Sequence, residues 1–311
     1  MVESLFEMDV SEFVVLFLGL IFTVPFLLEW YPRMFRSASL PPGKTRLERV
    51  ILSVLPLAAC ATILYILRFH ASFDVVDAPI YIAFYLVIGF TWLSVGVWFM
   101  FLFFDLSWID DVLDRGNRAA LIAIAGGFMG ICAIYSGANI GDGPGWWCVF
   151  FAGGLGLLAF FGLGAVLNSL AAVSERITVD RDLGCGIRFG SYLLASGIIL
   201  ARASSGDWTS FSATVIEFMD GWTVLFLAIA AIMIERSSLR RSKDNEEDSQ
   251  SDWSSLQRGA RGEENSLLGP APGSTLGSAL GSALGSVAIG AIYVIAAVAS
   301  VTLMPALPLM P

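Results

Sequence analysis

Charge and catalytic side chains are scarce in this sequence. Of 311 residues only 14% are Asp, Glu, Lys or Arg, and there is a single histidine, His70. One histidine excludes multi-histidine metal sites, and its place at the end of an apolar run reads as a solvated surface position. The four cysteines, Cys60, Cys132, Cys148 and Cys185, stand singly, with no CxxC and no metal-ligand spacing, so they read as small packing residues. No GxSxG elbow, HExxH or P-loop occurs. Gly154-Leu-Gly156-Leu-Leu-Ala159 imitates a dinucleotide fingerprint, but it sits inside an apolar run rather than after a strand. The expectation is therefore no enzyme, no catalytic residue, no metal and no cofactor. A net charge of -9 leaves no basic face for nucleic acid. No Lys or Arg precedes Arg33, so the basic n-region of a secretory signal is missing and the first apolar run is expected to stay as a helix.

Apolar residues are abundant instead, at 56%, in runs long enough to span a bilayer, which takes about 20 residues. The predicted fold class is all-α: a polytopic membrane bundle of about eight transmembrane helices. The predicted spans are Phe13–Tyr31, Val50–Leu67, Ala78–Phe104, Ala119–Ile140, Trp146–Val173, Leu183–Ala203, Phe211–Ile234 and Ser286–Leu303. The third and fifth runs, 27 and 28 residues, exceed a core of about 30 Å and must tilt or project beyond it. In a projecting helix Asp111 with Arg115, and Asp114 with Arg118, have pairing spacing. Pro25 and Pro56 are expected to kink the first two helices.

Sixteen of the eighteen Lys and Arg fall on alternate loops if Arg188 is counted with its loop, leaving Arg68 and Arg202 on the other side. The positive-inside rule then places both termini outside. Trp30, Trp108, Trp146, Trp147, Trp208 and Trp222 lie at or near span ends, where indoles favour the interface.

Organisation follows from a two-helix unit that occurs twice. Residues 78–140 and 146–203 form the two hairpins, and a shift of 65 positions places Asp110 on Glu175, Asn117 on Asp182 and Ala119 on Gly184. Internal repeats of this kind mark membrane transport folds. Two crossings per unit leave both copies facing the same way, so the symmetry axis is expected along the membrane normal. Residues 1–77 supply two helices before the pair, and 204–235 a seventh. The polar segment 236–273 has too little apolar surface to fold alone and reads as a disordered cytoplasmic linker. Residues 274–311 hold the last helix, led by a Gly/Ser tetrapeptide pattern with Gly273, Gly277, Gly281 and Gly285. If helical, that pattern offers a groove for a second copy or a partner helix; otherwise it is a flexible lead-in.

Few polar residues stand at membrane depth. Asn117 and Asp182 each precede a helix of small residues, the place of an N-cap. Asp110 and Glu175 are either solvated or a paired acidic mouth. Arg188 lies over a turn inside the sixth helix, with Asp105 ending the third and Asn168 inside the fifth. Arg188 is a pathway residue with Asp105, Glu175 or Asp182 as its partner, or it snorkels to the headgroups. The outer loop Asn139–Gly145 presents Asp142 but reads as a Gly/Pro turn.

The doubled pattern, carried best by WIDDVLDRGNRAALIAIAGGFMG (Trp108–Gly130), resembles the YjfL-like family of small bacterial inner-membrane proteins. The second copy departs from it, with Asp182 for the Asn and Gly184-Cys185-Gly186 for the alanines. The resemblance implies a four-helix core of two hairpins in the bacterial cytoplasmic membrane and a link to envelope stress, with no catalytic residues to carry over. Function then divides between a conduit or carrier for a small solute or ion and a non-transporting scaffold whose partners are the bilayer and other proteins.

Overall fold

The computed structural model describes residues 8–36, 46–260 and 273–304. Among them eight helices are long and apolar enough to cross a membrane. They are α1 (Val10–Arg36), α2 (Arg46–Phe69), α3 (Pro79–Phe104), α4 (Arg118–Ala138), α5 (Trp146–Ala171), α6 (Leu183–Ala203), α7 (Thr223–Ala260) and α8 (Gly273–Leu303). No strand occurs among the described residues; one isolated bridge joins Ala71 to Gly141. The chain is an all-α, multi-pass membrane protein, since backbone polar groups in hydrocarbon must be satisfied within each span.

The pair α4 and α6 forms the centre, each with 72% of its span buried, against 11% for α1 and 22% for α8. Its cause is legible in the glycines. Gly126, Gly130 and Gly137 on α4 and Gly186, Gly190 and Gly197 on α6 have identical spacing and meet across the interface. A Cβ at Gly126 would lie 2.0 Å from the Gly190 carbonyl oxygen, and one at Gly137 2.1 Å from that of Ala201. Contacts climb both helices together, from Ala119–Gly186 to Gly137–Ala201, so the two run parallel. Without water to drive association, close backbone approach and dispersion hold such helices together. Around this centre α1 packs on α3, α2 on α4, α7 on α5 and α6, and α8 on α6.

The third and fifth helices end close to where their apolar runs end. Each is 26 residues and stops at a non-glycine residue in the left-handed region, Asp105 (φ 51°) and Ala172 (φ 49°). The chain then continues separately as a π-helical turn, Trp108–Asp114, and a short helix, Val173–Thr178. Asp111 and Arg115 do pair, at 3.0 Å, but Arg118 bonds Glu48 of α2. The two turns share a backbone pattern. Asp110 O accepts from Arg115 N–H and Glu175 O from Asp180 N–H; Asp111 O accepts from Asn117 N–H and Arg176 O from Asp182 N–H. Gly116 and Arg181 both have positive φ. Each correspondence is 65 residues apart, and α4 and α6 are both 21 residues.

Three other expectations change. Trp30 and Trp108 are buried and stacked at 4.2 Å instead of facing lipid, because Trp30 Nε1 donates to the Leu52 carbonyl between helices. The seventh span is interrupted: a helix Phe211–Phe218 and a 3-10 turn Met219–Trp222 precede α7. Beyond the membrane α7 stays helical to Ala260, where the polar composition predicts a linker. A helix already nucleated in the bilayer needs only propagation, and no proline interrupts 236–260. The rest of that linker, 261–272, lies outside the described residues. The Gly/Ser pattern from Gly273 is helical.

Candidate functional site

The most heavily charged buried place in the bundle lies where α6, α7 and α8 meet. Gly184 in the first turn of α6 makes it possible: a Cβ there would stand 2.7 Å from Ser286 Oγ and 3.1 Å from Arg188 Nη1. Arg188, buried one turn further along, grips Glu235 of α7 with both arms, Nε to Oε1 at 2.5 Å and Nη2 to Oε2 at 2.8 Å. Its Nη1 donates to Ser286 of α8 at 2.7 Å. Arg176, from the short helix before α6, donates through Nη1 to the same Glu235 Oε2 at 2.8 Å and through Nη2 to Asp182 at 2.6 Å. Ser238 Oγ accepts from both guanidiniums at 3.3 Å.

Glu235 is thus the hub, and it is only 1% exposed. Two arginines and two carboxylates balance, which is the condition for burying charge where desolvation is severe. Burial works against the Asp182 carboxylate, but the Cys185 backbone N–H and the Arg176 guanidinium outweigh it and hold its pKa below the ordinary carboxylate value. For Arg176, burial likewise opposes the charged form, and the neighbouring anionic groups more than offset it, raising the pKa.

The remaining expected polar residues serve the turns. Asn117 is the N-cap of α4: its Oδ1 accepts from Ala119 and Ala120 N–H at 3.0 and 3.2 Å, and its Nδ2 donates to the Ile177 carbonyl at 2.7 Å. Asp182 caps α6 through Cys185 N–H at 3.0 Å. Asn168 accepts from Ser174 N–H at 2.8 Å and donates to the Phe103 carbonyl. Asp105 is exposed at the end of α3, and Asp110 exchanges hydrogen bonds with Ser107. Glu175 is exposed. The structure therefore gathers Asp182 and Arg188 of the expected set into one cluster and leaves Asp105, Asp110, Asn117, Asn168 and Glu175 outside it. Arg188 does not snorkel, and of the three acids expected to face it only Asp182 belongs to the cluster, through Arg176. Glu235, its partner, reads in the sequence as the polar end of a span. The signal for it is a lone acid directly after eleven apolar residues, Val224–Ile234, with a deep arginine in need of a counter-charge.

At the opposite end the loop holding Asp142 is a turn packed on its neighbour. Asp142 N–H donates to Asp207 Oδ1 at 2.8 Å, Trp208 N–H to the Asp142 carbonyl at 2.7 Å, and Gly141 and Gly206 both have positive φ. All four cysteines are free, and no group of His, Cys, Asp and Glu fit to hold a metal occurs among the described residues.

Residues 73–203 match the model of a family described as Domain of Unknown Function (DUF350). No curated protein and no solved structure matches the chain. The matched segment begins at the short helix Phe73–Val76 and ends with α6, so it contains both hairpins. Arg176, Asp182 and Arg188 lie inside it, whereas Glu235, Ser238 and Ser286 lie beyond it. The cluster is a joint between the matched core and the helices that follow.

Proposed function

We propose that this protein is a non-transporting, non-enzymatic membrane scaffold in which a duplicated hairpin core is clasped to α7 and α8 by the Arg188–Glu235–Arg176 joint. The observation that carries the reading is that the deep charges are spent on one another: Arg188 and Arg176 both bond Glu235, and Ser286 and Ser238 take further guanidinium donors. A carrier needs polar groups held ready for a solute along a path, and Asn117, Asn168 and Asp182 are engaged in caps. Duplication is supported by the matching lengths, caps and turn hydrogen bonds at a 65-residue shift, and the parallel α4–α6 pair fits an axis along the membrane normal.

In this reading the protein sits in a bacterial cytoplasmic membrane, as its YjfL-like resemblance implies, with an envelope-stress association. Both termini face outward because sixteen of eighteen Lys and Arg segregate to one side.

Flux measurement tests the scaffold against the conduit. Purified protein in liposomes is expected to pass ions and small solutes no faster than protein-free vesicles. Saturable flux in the wild type that Arg188→Leu abolishes in a folded protein would establish the conduit instead.

A further inference from the structure

A groove of about 540 Å³ opens beside the charged joint, between α6, α7 and α8. Arg176 and Arg188 form its floor, Arg241 its outer wall, and Ser237, Ser282 and Gly285 its sides. We propose that this groove is a binding site for the phosphate of an anionic phospholipid, which enters laterally between α7 and α8.

Charge is the first reason. The two carboxylates of the joint balance Arg176 and Arg188, so Arg241, and Arg236 and Arg240 beside it on α7, leave the mouth positive, with Asp244 as the acid among them. Donor supply is the second. Among the described residues Arg188 Nη1 donates only to Ser286 and Arg176 Nη1 only to Glu235, and each of these nitrogens carries a second hydrogen. Ser238 Oγ accepts from both arginines and keeps its own proton to donate. Guanidinium nitrogens and hydroxyls are donors suited to the several oxygens of a phosphate.

Access is the third. α7 and α8 scarcely touch each other although both pack on α6, so the wall between them is open toward the bilayer. Gly281 and Gly285 on the α8 side of the groove have nothing within 4 Å, which leaves room for a headgroup against the helix backbone. Ile234 and Ile289 line the membrane-facing part, where acyl chains would continue. A basic pocket between transmembrane helices at the bilayer surface is the form that anionic headgroup sites take. The site stands whether or not the protein conducts anything.

Native mass spectrometry of the full chain, exchanged into detergent with phosphatidylglycerol or phosphatidylcholine, tests it. Arg241→Gln removes the exposed wall without touching the joint, and Arg68→Gln at the opposite end controls for general attraction of anionic lipid to surface arginines. The wild type and Arg68→Gln are expected to retain phosphatidylglycerol about tenfold over phosphatidylcholine, and Arg241→Gln to lose most of that preference. Arg241→Lys, which keeps the charge but not the fork, is expected between them. Equal retention of both lipids, or full preference in Arg241→Gln with an unchanged melting temperature, overturns the proposal. Thermal stabilisation by inorganic phosphate with no retained lipid would assign the groove to a free anion, and would overturn the lipid as occupant.

Discussion

The turn joining α3 to α4 and the turn joining α5 to α6 carry the same backbone hydrogen bonds 65 residues apart, yet their side chains differ in charge. Asp111 of the first corresponds to Arg176 of the second, Asn117 to Asp182, and Ala123 to Arg188. The first turn keeps its own ion pair local: Asn117 caps with a neutral amide, Asp111 pairs with an exposed Arg115, and Ala123 packs at the helix interface. The second turn reaches outward, to Glu235 on α7 and Ser286 on α8. One backbone therefore supports two roles, and the helix packed outside it decides which. On the first hairpin the outer neighbour brings Glu48, as buried as Glu235, to one exposed arginine, Arg118, whereas on the second Glu235 meets two buried arginines.

The largest expected effect falls on what the two hairpins share. Gly126→Leu should prevent α4 and α6 from meeting, because even a Cβ would stand 2.0 Å from the Gly190 carbonyl, and little folded protein should be recovered by size-exclusion chromatography. Gly162→Ala, where nothing lies within 4 Å, should be tolerated or stabilise by up to about 1 kcal/mol. If both behave alike, the glycine contact is not what binds the hairpins.

Next comes the hub of the second hairpin. Glu235→Ala leaves two buried guanidiniums without their shared carboxylate and should cost about 3–5 kcal/mol in denaturant titration in detergent. Arg188→Lys should also destabilise, since an ammonium cannot hold both Glu235 oxygens as the fork does. A silent lysine variant would return Arg188 to the snorkelling role.

The caps separate the hairpins more finely. Asn117→Ala should cost about 1–2 kcal/mol, losing two capped N–H groups and the tie to Ile177. Asp182→Asn keeps an acceptor for Cys185 but removes one of the two charges that balance Arg176 and Arg188. Its signature is pH dependence. The folded pKa of Asp182 is depressed, so its stabilisation is present above the unfolded value of 3.8 and is lost as pH falls through the lower folded value. Acid melting of the wild type should therefore show a loss that Asp182→Asn lacks.

Smallest of all is the first turn's own pair. Arg115 is 56% exposed, so Arg115→Ala should shift stability by no more than about 0.5 kcal/mol. A larger loss would mean that the first turn also carries an ion-pair joint.

Span number and the polar caps were legible in the sequence because each rests on a local cause: apolar length, and an acceptor placed before a helix. The bilayer enforces these span by span, since every backbone group must find its partner within its own helix. Tertiary structure decided the rest. That α4 and α6 cross on matched glycines, that Trp30 stacks on Trp108, and that Arg188 answers to Glu235, 47 residues away, depend on which helix faces compete for the same neighbour. Hydrocarbon solvates every apolar face alike, so periodicity does not rank those faces; steric fit between small residues and the demand of a buried charge for its counter-charge do.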